Sequence, residues 1–201
     1  IGLPLIAQNI IYSNLKELLA QNGDTIAVLR VEKRSRNQIV LTGGADYRIT
    51  AGDDESMCRR LKKRCFAVRS EEGDLYLNCR KLRYKKLRFG AWYAPAVQLG
   101  KNIYFCAMPL GSVIGGNFVE DDDVKLGGNI GDAFAASSLV TKRVCYELNG
   151  ETGKIEFLGK DKMLQILDKY PEWKQAYLKE DSQEAKETFD YLLKLRDSQE
   201  K

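Results

Sequence analysis

The sequence contains no histidine among its 201 residues. Histidine has the side chain whose unperturbed pKa lies nearest neutrality, which suits it to acid–base catalysis and to metal binding. Its absence excludes Ser-His-Asp and Cys-His activation of a nucleophile, His-ligated zinc and ordinary histidine acid–base work. Carboxylate pairs, lysine and unpaired cysteine remain as catalysts, and each would need a strongly shifted pKa. The sequence therefore contains no recognisable catalytic apparatus.

Long apolar runs are also absent, because no stretch reaches the roughly 20 apolar residues of an ordinary membrane helix. Residues 1–7 lack an initiator Met and are typical of the apolar end of a secretion signal. The small residue Ala7 predicts cleavage before Gln8, and a short opening strand in the same residues is the alternative. We therefore expect an exported protein of the periplasm, cell envelope or medium.

Cysteine is scarce, and its five residues are an odd number that cannot form a fully paired disulfide framework. Their spacings contain no CxxC motif, which excludes the usual zinc and thioredoxin-like sites. Cys79, Cys106 and Cys145 lie in strand-like apolar stretches, so we predict three buried, unpaired thiols. Cys58 and Cys65 are seven residues apart, too far for a bridge if both are helical. We expect no metal and no cofactor.

Charge is nearly balanced overall but uneven along the chain. Charged residues make up 30% of the sequence and the formal net charge is +4, which indicates a well-solvated surface rather than a dedicated nucleic-acid binder. Residues 1–100 contain 18 Lys and Arg against 10 Asp and Glu, whereas residues 101–201 contain 14 against 18. The basic charge is therefore N-terminal, and no nucleic-acid partner is expected.

Most of the chain has the two-residue hydrophobic period of β-strands. Runs of β-branched and aromatic residues, separated by short turns, predict antiparallel hairpins at 65–82, 91–107 and 143–158. A similar run predicts a further strand at 38–42. After Gly159 the period changes to about 3.6 residues, which is typical of helices.

The two periods together predict an α+β fold. We expect residues 8–201 to form one domain, in which 8–159 are mainly β and 160–201 are helical. The β part is an antiparallel sheet or a partly open barrel, and the helical segment packs on it. Asp181 and Glu184 resemble a capping box at the start of the last helix.

The densest cationic segment is residues 80–88, and we call its six basic residues the basic patch. They are Arg80, Lys81, Arg83, Lys85, Lys86 and Arg88. Such a run can bind phosphates or anionic glycans. Alternatively, Leu82 and Tyr84 point inward from a strand while Arg83 and Lys85 point to water, and lysine discourages edge pairing. A second basic run lies upstream at 59–64.

Two Gly-rich segments flank an acidic run at 120–123. Their glycines recur every four residues, a spacing that lets membrane helices approach closely. A hairpin in 108–136 that inserts into a membrane is therefore one interpretation. A charge near the bilayer centre costs about 2.5 to 3.5 kcal/mol, so Lys125 and Asp132 argue against it. A mobile loop followed by a small-residue helix packed on the sheet is the alternative, and neither segment is a P-loop.

Several motifs carry a family pattern: GGADY at 43–47, LYLNC at 75–79, FCAMPLG at 105–111, GGNIGD at 127–132, KRVCYEL at 142–148 and the tail at 152–195. They resemble an uncharacterised family of exported proteins from Bacteroidetes-type gut bacteria, a domain of unknown function. The resemblance covers nearly the whole mature chain. It implies a signal peptide and an envelope or extracellular location, but no reaction and no catalytic residue.

We expect a binding module that presents the Gly-rich region and exposed aromatic side chains to a protein or glycan partner. The candidate binding residues are Trp92, Tyr93, Gly111, Gly115, Gly127, Gly131 and Asp132. A carboxylate-based hydrolase is the rival hypothesis, with its acid–base pair taken from Asp46, Asp53, Asp54 and residues 120–123. It requires two of these carboxylates to converge in a cleft at roughly 5 to 10 Å.

Overall fold

Strands dominate the first part of the chain and helices the last. The computed structural model describes residues 8–42, 44–85, 87–108, 143–182 and 184–199. The strands are β1 (Asn9–Tyr12), β2 (Asp24–Ile26), β3 (Arg30–Lys33), β4 (Tyr47–Thr50), β5 (Ala67–Arg69), β6 (Leu75–Asn78), β7 (Arg83–Tyr84), β8 (Leu87–Arg88), β9 (Tyr93–Leu99), β10 (Asn102–Ala107), β11 (Val144–Leu148) and β12 (Ile155–Phe157). The α-helices are α1 (Leu15–Leu19), α2 (Arg36–Thr42), α3 (Glu55–Lys63), α4 (Lys160–Ile166), α5 (Pro171–Lys179) and α6 (Ala185–Gln199), and Cys79–Lys81 and Leu167–Lys169 form single 3-10 turns.

Ten of these strands form one open sheet. Its main path runs β12-β11-β10-β9-β6-β5-β1-β2, while β4 pairs with β9 through Tyr47 and Tyr93 and also pairs with β3. β7 and β8 form a separate hairpin. All pairings in the described part of the chain are antiparallel, and the short links of the predicted hairpins favour this arrangement. The predicted α+β class with an antiparallel sheet is confirmed, and the sheet is open.

One face of the sheet holds an aromatic and aliphatic core. Successive side chains of a strand point to opposite faces, so Ile103, Phe105 and Ala107 of β10 all lie on this face. The rings of Phe105 and Tyr146 stack with their centroids 5.4 Å apart. Buried side chains of α1 and of residues 79–89 complete the cluster. Residues 79–89, between β6 and β9, cover this face of the sheet and therefore belong to the core.

The C-terminal helices cover the opposite face over β9, β10 and β11. Their most buried side chains, each at most 2% exposed, are Met163, Leu167, Tyr177, Tyr191, Leu192 and Leu195. They pack against Val97, Tyr104 and Cys145 of the sheet. Burial of one large apolar side chain stabilises a fold by about 1.5 to 3 kcal/mol. The prediction of a helical segment packed on the sheet is therefore confirmed.

Helix α3 covers the other end of that face. Leu61 of α3 lies in a third buried cluster with Ile11 of β1 and Val68 of β5. The helix begins at an ordinary N-cap, because the side chain of Asp54 accepts a hydrogen bond from the backbone N–H of Met57 at 2.9 Å. Both faces of the sheet are thus covered by separate elements.

Residues 38–42 form the end of α2 instead of the predicted strand. The backbone N–H of Ser35 donates to Gln38 Oε1 at 2.8 Å, and the Gln38 N–H donates to Ser35 Oγ at 3.3 Å. This reciprocal capping box satisfies two helix donors and outweighs the β-propensity of the run. The last helix begins at Ala185 rather than directly after Asp181, so the predicted cap is also wrong.

No helix within the described ranges is both long enough and apolar enough to cross a bilayer.

Candidate functional site

The basic patch follows a 3-10 turn and the β7–β8 hairpin along the surface. Its exposed members are Arg80, Lys81, Arg83, Lys85 and Arg88. Lys86 lies outside the described residues. Leu82 is 2% exposed and Tyr84 is 8% exposed. The predicted alternation is confirmed, with Leu82 and Tyr84 inward and Arg83 and Lys85 toward water. The hairpin thus presents cations on an apolar base.

Lys85 lies at the tip of this hairpin with a left-handed backbone. Because Tyr84 pairs with Leu87, the turn has only two residues, and such turns favour positive φ. The φ of Lys85 is 53°, a region that costs residues other than glycine about 1 to 2 kcal/mol. Its Nζ lies 5.7 Å from the centroid of the Tyr84 ring. Lys85 is exposed and lines the cavity between the hairpin and β12, so it is a candidate ligand-binding residue.

The hairpin and the edge strand β12 line an open surface cavity of about 660 Å³. Pockets that bind small molecules have volumes of about 300 to 1,000 Å³. The lining residues are Arg83, Tyr84, Lys85, Gly153, Lys154, Ile155, Glu156 and Phe157. Three of these side chains are cationic and three are apolar or aromatic. The backbone turns into β12 at Gly153, whose φ of 69° suits glycine. We call this cavity the hairpin pocket.

Glu156 is the one carboxylate among the described residues that line the hairpin pocket, and it is bound to a lysine. Lys162 of α4 pairs with Glu156 at 2.9 Å and also with Glu147. The hydrogen bond from Lys162 lowers the pKa of Glu156. Burial alone would lower the pKa of Lys162, but the hydrogen bonds to Glu147 and Glu156 outweigh burial and raise it. The charge of Lys154 also lowers the pKa of Glu156, and burial followed by the charge of Glu156 raises the pKa of Tyr84. The pocket therefore holds one carboxylate beside its three cations.

Trp92 and Tyr93 differ from the exposed aromatic pair that we predicted. Tyr93 is 2% exposed, and its hydroxyl donates to the backbone carbonyl of Leu61 at 2.7 Å. The expected exposure of Tyr93 is wrong, because the alternation of β9 turns this side chain toward α3. Trp92 is half-buried, and the guanidinium groups of Arg34 and Arg48 lie 5.0 and 5.9 Å from its ring centroid.

The remaining candidate binding residues, Gly111, Gly115, Gly127, Gly131 and Asp132, lie outside the described residues, as does the acidic run at 120–123. Of the carboxylates of the hydrolase hypothesis, Asp54 caps α3. The Asp46 carboxylate accepts hydrogen bonds from Arg143 Nε at 2.8 and 3.0 Å. Both therefore have structural roles. Within the described ranges, no group of three or more Cys, Asp or Glu is placed to hold a metal ion.

Cys106 and Cys145 form a disulfide, which corrects the prediction that both are unpaired. They are direct partners in the antiparallel register of β10 and β11, with their Cα atoms 4.3 Å apart. Both are buried, as predicted, and Cys79 is buried and free. The error has a physical origin, because strand register brings together two residues that are 39 positions apart. Local apolar context cannot reveal such a partner.

Thiol labelling is expected to distinguish the five cysteines in three steps. Cys58 is half-buried, whereas burial raises the pKa of Cys65 and raises that of Cys79 to about 12. A buried protonated thiol reacts slowly, since the thiolate is the nucleophile. We expect one label on the native chain, three after unfolding without reductant and five after reduction. Five labels without reductant would contradict the disulfide, and rapid native labelling of Cys79 would contradict its packing.

Sequence analysis missed Lys154, Phe157 and Lys162 as members of the site. The turn at residues 149–153 correctly predicted that β12 pairs with β11. Nothing in that pattern indicated that the β7–β8 hairpin, about seventy positions earlier, would lie beside β12. One sequence pattern could have indicated the site. Glu156 alternates with the apolar residues Ile155 and Phe157, which is typical of an edge strand with one polar and one apolar face.

These features define a mixed α/β protein whose open antiparallel sheet bears a C-terminal helical layer and a cationic surface pocket. A family model described as "Family of unknown function (DUF6563)" matches residues 10–199, and the chain belongs to this family. The comparisons with curated proteins and with solved structures gave no match. Membership of this family identifies neither a ligand nor a reaction.

Proposed function

We propose that this chain is a binding module for an anionic glycan, and that the hairpin pocket holds the acidic sugar. The main support is the composition of the pocket. Its three cations, Arg83, Lys85 and Lys154, surround an apolar wall, and the nearby carboxylate of Glu156 is bound to Lys162. Carboxylate or sulfate groups of a sugar suit a site with three cations, while the apolar face of its ring suits the wall. No catalytic group is required for this role.

The volume of the pocket suits a compact ligand. A stable protein–protein interface buries about 800 Å² on each partner and is usually broad. The volume of about 660 Å³ instead falls within the range of pockets that bind small molecules. One or two sugar residues fit that description. An acidic protein segment is the competing partner, and the experiment below separates the two.

Export of the chain is part of the same proposal. Disulfides persist in oxidising compartments and are rare in the cytosol. The Cys106–Cys145 bond therefore supports the periplasmic, envelope or extracellular location that the sequence predicts. The gut-bacterial origin implied by the family resemblance stays a prediction. Recovery of the chain with free Cys106 and Cys145 from the cytoplasm of its host would contradict export.

The binding of acidic sugars can be tested with a matched pair of ligands. We expect digalacturonate to bind the intact chain in calorimetric titrations, and galactobiose, which lacks the carboxylates, to bind far more weakly. Added salt is expected to weaken the binding of digalacturonate but not that of galactobiose, because salt screens interactions between exposed charges. Equal binding of the two sugars, or tighter binding of a poly-glutamate peptide, would contradict the proposal.

Replacement of Lys85 by Asn separates binding from stability. Asn tolerates positive φ better than Lys, so Lys85→Asn is expected to unfold at an unchanged or higher denaturant midpoint. An exposed charge pair contributes about 0.2 to 1 kcal/mol, so the Kd for digalacturonate should rise up to about fivefold. Lys186→Gln, on α6 and exposed, is the control and should leave the Kd unchanged. Weaker binding accompanied by lower stability would indicate a structural role for Lys85 instead.

A further inference from the structure

The end of α3 carries a second group of exposed cations. Arg59, Lys62, Lys63 and Arg64 are exposed, and we call them the α3 cluster. Arg60, in the same run, uses its charge in an ion pair with Asp24. None of the four cluster side chains forms an ion pair with another described residue. Their charge is therefore available to a ligand.

Asn78 fixes this helix end beside the basic patch. Its Nδ2 donates to the carbonyl oxygens of Cys65 and Leu61 at 2.8 and 3.2 Å, and its side chain is almost fully buried. Its Oδ1 accepts a hydrogen bond from the backbone N–H of Arg80 at 3.1 Å. One side chain thus bridges the end of α3 and the first residue of the basic patch, which are separate in sequence.

Helix stability alone does not account for the α3 cluster. Lysine and arginine near a helix C-terminus can bond its last carbonyls and favour its macrodipole. Here the Leu61 carbonyl already accepts hydrogen bonds from the Tyr93 hydroxyl and from Asn78. Neutral groups of the core therefore satisfy the Leu61 carbonyl without help from the cations. The cations remain at the surface, and Arg80 and Lys81 continue the same charge beyond the helix.

We propose that the α3 cluster, the exposed described members of the basic patch and the hairpin pocket form one band that binds a long polyanionic glycan. The band runs from α3 on one face of the sheet, past Asn78 and Arg80, to the hairpin on the other face. The inference rests on the proposed function and extends it from a single acidic sugar to a chain of them. The end of the glycan occupies the hairpin pocket, and its further acidic residues pass Arg80 and Lys81 toward the α3 cluster. The overall net charge of +4 and the sequence pI of about 8.7 are lower than those of dedicated nucleic-acid binders, and this favours an acidic glycan as the polyanion.

The test compares two ligand lengths on the full chain. In the triple variant Arg59→Gln, Lys62→Gln and Lys63→Gln, we expect the Kd for octagalacturonate to rise at least tenfold and that for digalacturonate to stay unchanged. Each ligand charge that a protein cation pairs with adds about 0.7 to the steepness of log K against log salt for a single-stranded polyanion. The variant loses three such cations. The slope for the octamer should therefore be shallower by about 2 in the variant.

A second triple variant controls for net charge. Lys169→Gln, Lys179→Gln and Lys186→Gln removes three exposed lysines from the C-terminal helical segment, and we expect wild-type binding of both ligands. If the α3 variant also binds the octamer like the wild type, the band is overturned while the pocket proposal stands. If the wild type binds neither ligand, both proposals fail. Tighter binding of single-stranded DNA than of octagalacturonate, with the same sensitivity to the α3 variant, would overturn the glycan as partner.

Discussion

Leu192→Ala is expected to lower the free energy of unfolding by about 2 to 5 kcal/mol, the usual cost of truncating a fully buried leucine. Leu192 of α6 is 0% exposed and lies between the helical layer and the sheet. The truncation removes apolar contacts and leaves a cavity that the rigid sheet cannot fill. The free energy of unfolding of a domain is about 5 to 15 kcal/mol, so this one substitution should remove a large part of the net stability of the protein. Chemical denaturation followed by circular dichroism measures it.

Leu178→Ala is the matched control for this prediction. Leu178 lies on the neighbouring helix α5 and is 39% exposed, so the same truncation should change stability by at most about 0.5 kcal/mol. Equal effects of the two substitutions would show that the inner face of α6 is not the core that the packing indicates. A Leu192→Ala chain that kept its wild-type midpoint would contradict the burial directly.

Loss of the Cys106–Cys145 disulfide is expected to have an effect of similar size. In the loop-closure model, a bridge between residues 39 positions apart stabilises the folded chain by about 4 kcal/mol, because it restricts the unfolded state. The Cys106→Ala, Cys145→Ala double variant should therefore unfold at a markedly lower denaturant concentration than the oxidised wild type.

Reductant provides the control for the disulfide. Dithiothreitol should lower the unfolding midpoint of the wild type toward that of the double variant, and it should not change the double variant. Cys79→Ala removes a buried sulfur without removing a bond, which measures the packing contribution separately. A wild-type midpoint that is insensitive to reductant, after full reduction has been verified by mass, would contradict a stabilising role for the bridge.

Local sequence patterns predicted most elements because they act over a few residues. The two-residue period located the hairpins that end in β6, β10 and β12, and the 3.6-residue period located the helical segment after Gly159. The prediction of a strand at 38–42 was wrong for an equally local reason. The capping box between Ser35 and Gln38 lies just before the β-branched run and decides its conformation.

Long-range pairing explains what the sequence could not provide. The register of β10 with β11 determines the Cys106–Cys145 bond, and no spacing rule specifies that register. The hairpin pocket has the same origin, since Lys85 and Lys154 meet only after β12 has joined the edge of the sheet. Tyr93 was expected to be an exposed aromatic side chain, but it is buried. Its hydroxyl instead finds a buried acceptor on Leu61.

The most direct test of the account is a nuclear magnetic resonance titration of the ¹⁵N-labelled chain with digalacturonate. The largest backbone shifts are predicted at Arg83, Tyr84 and Lys85 and at the opposite residues Lys154 to Phe157, and these shifts should saturate together with one Kd. Galactobiose added to the same sample should leave them unchanged. Shifts centred on α5 and α6, or none at a saturating ligand concentration, would contradict the assignment of the hairpin pocket as the glycan site.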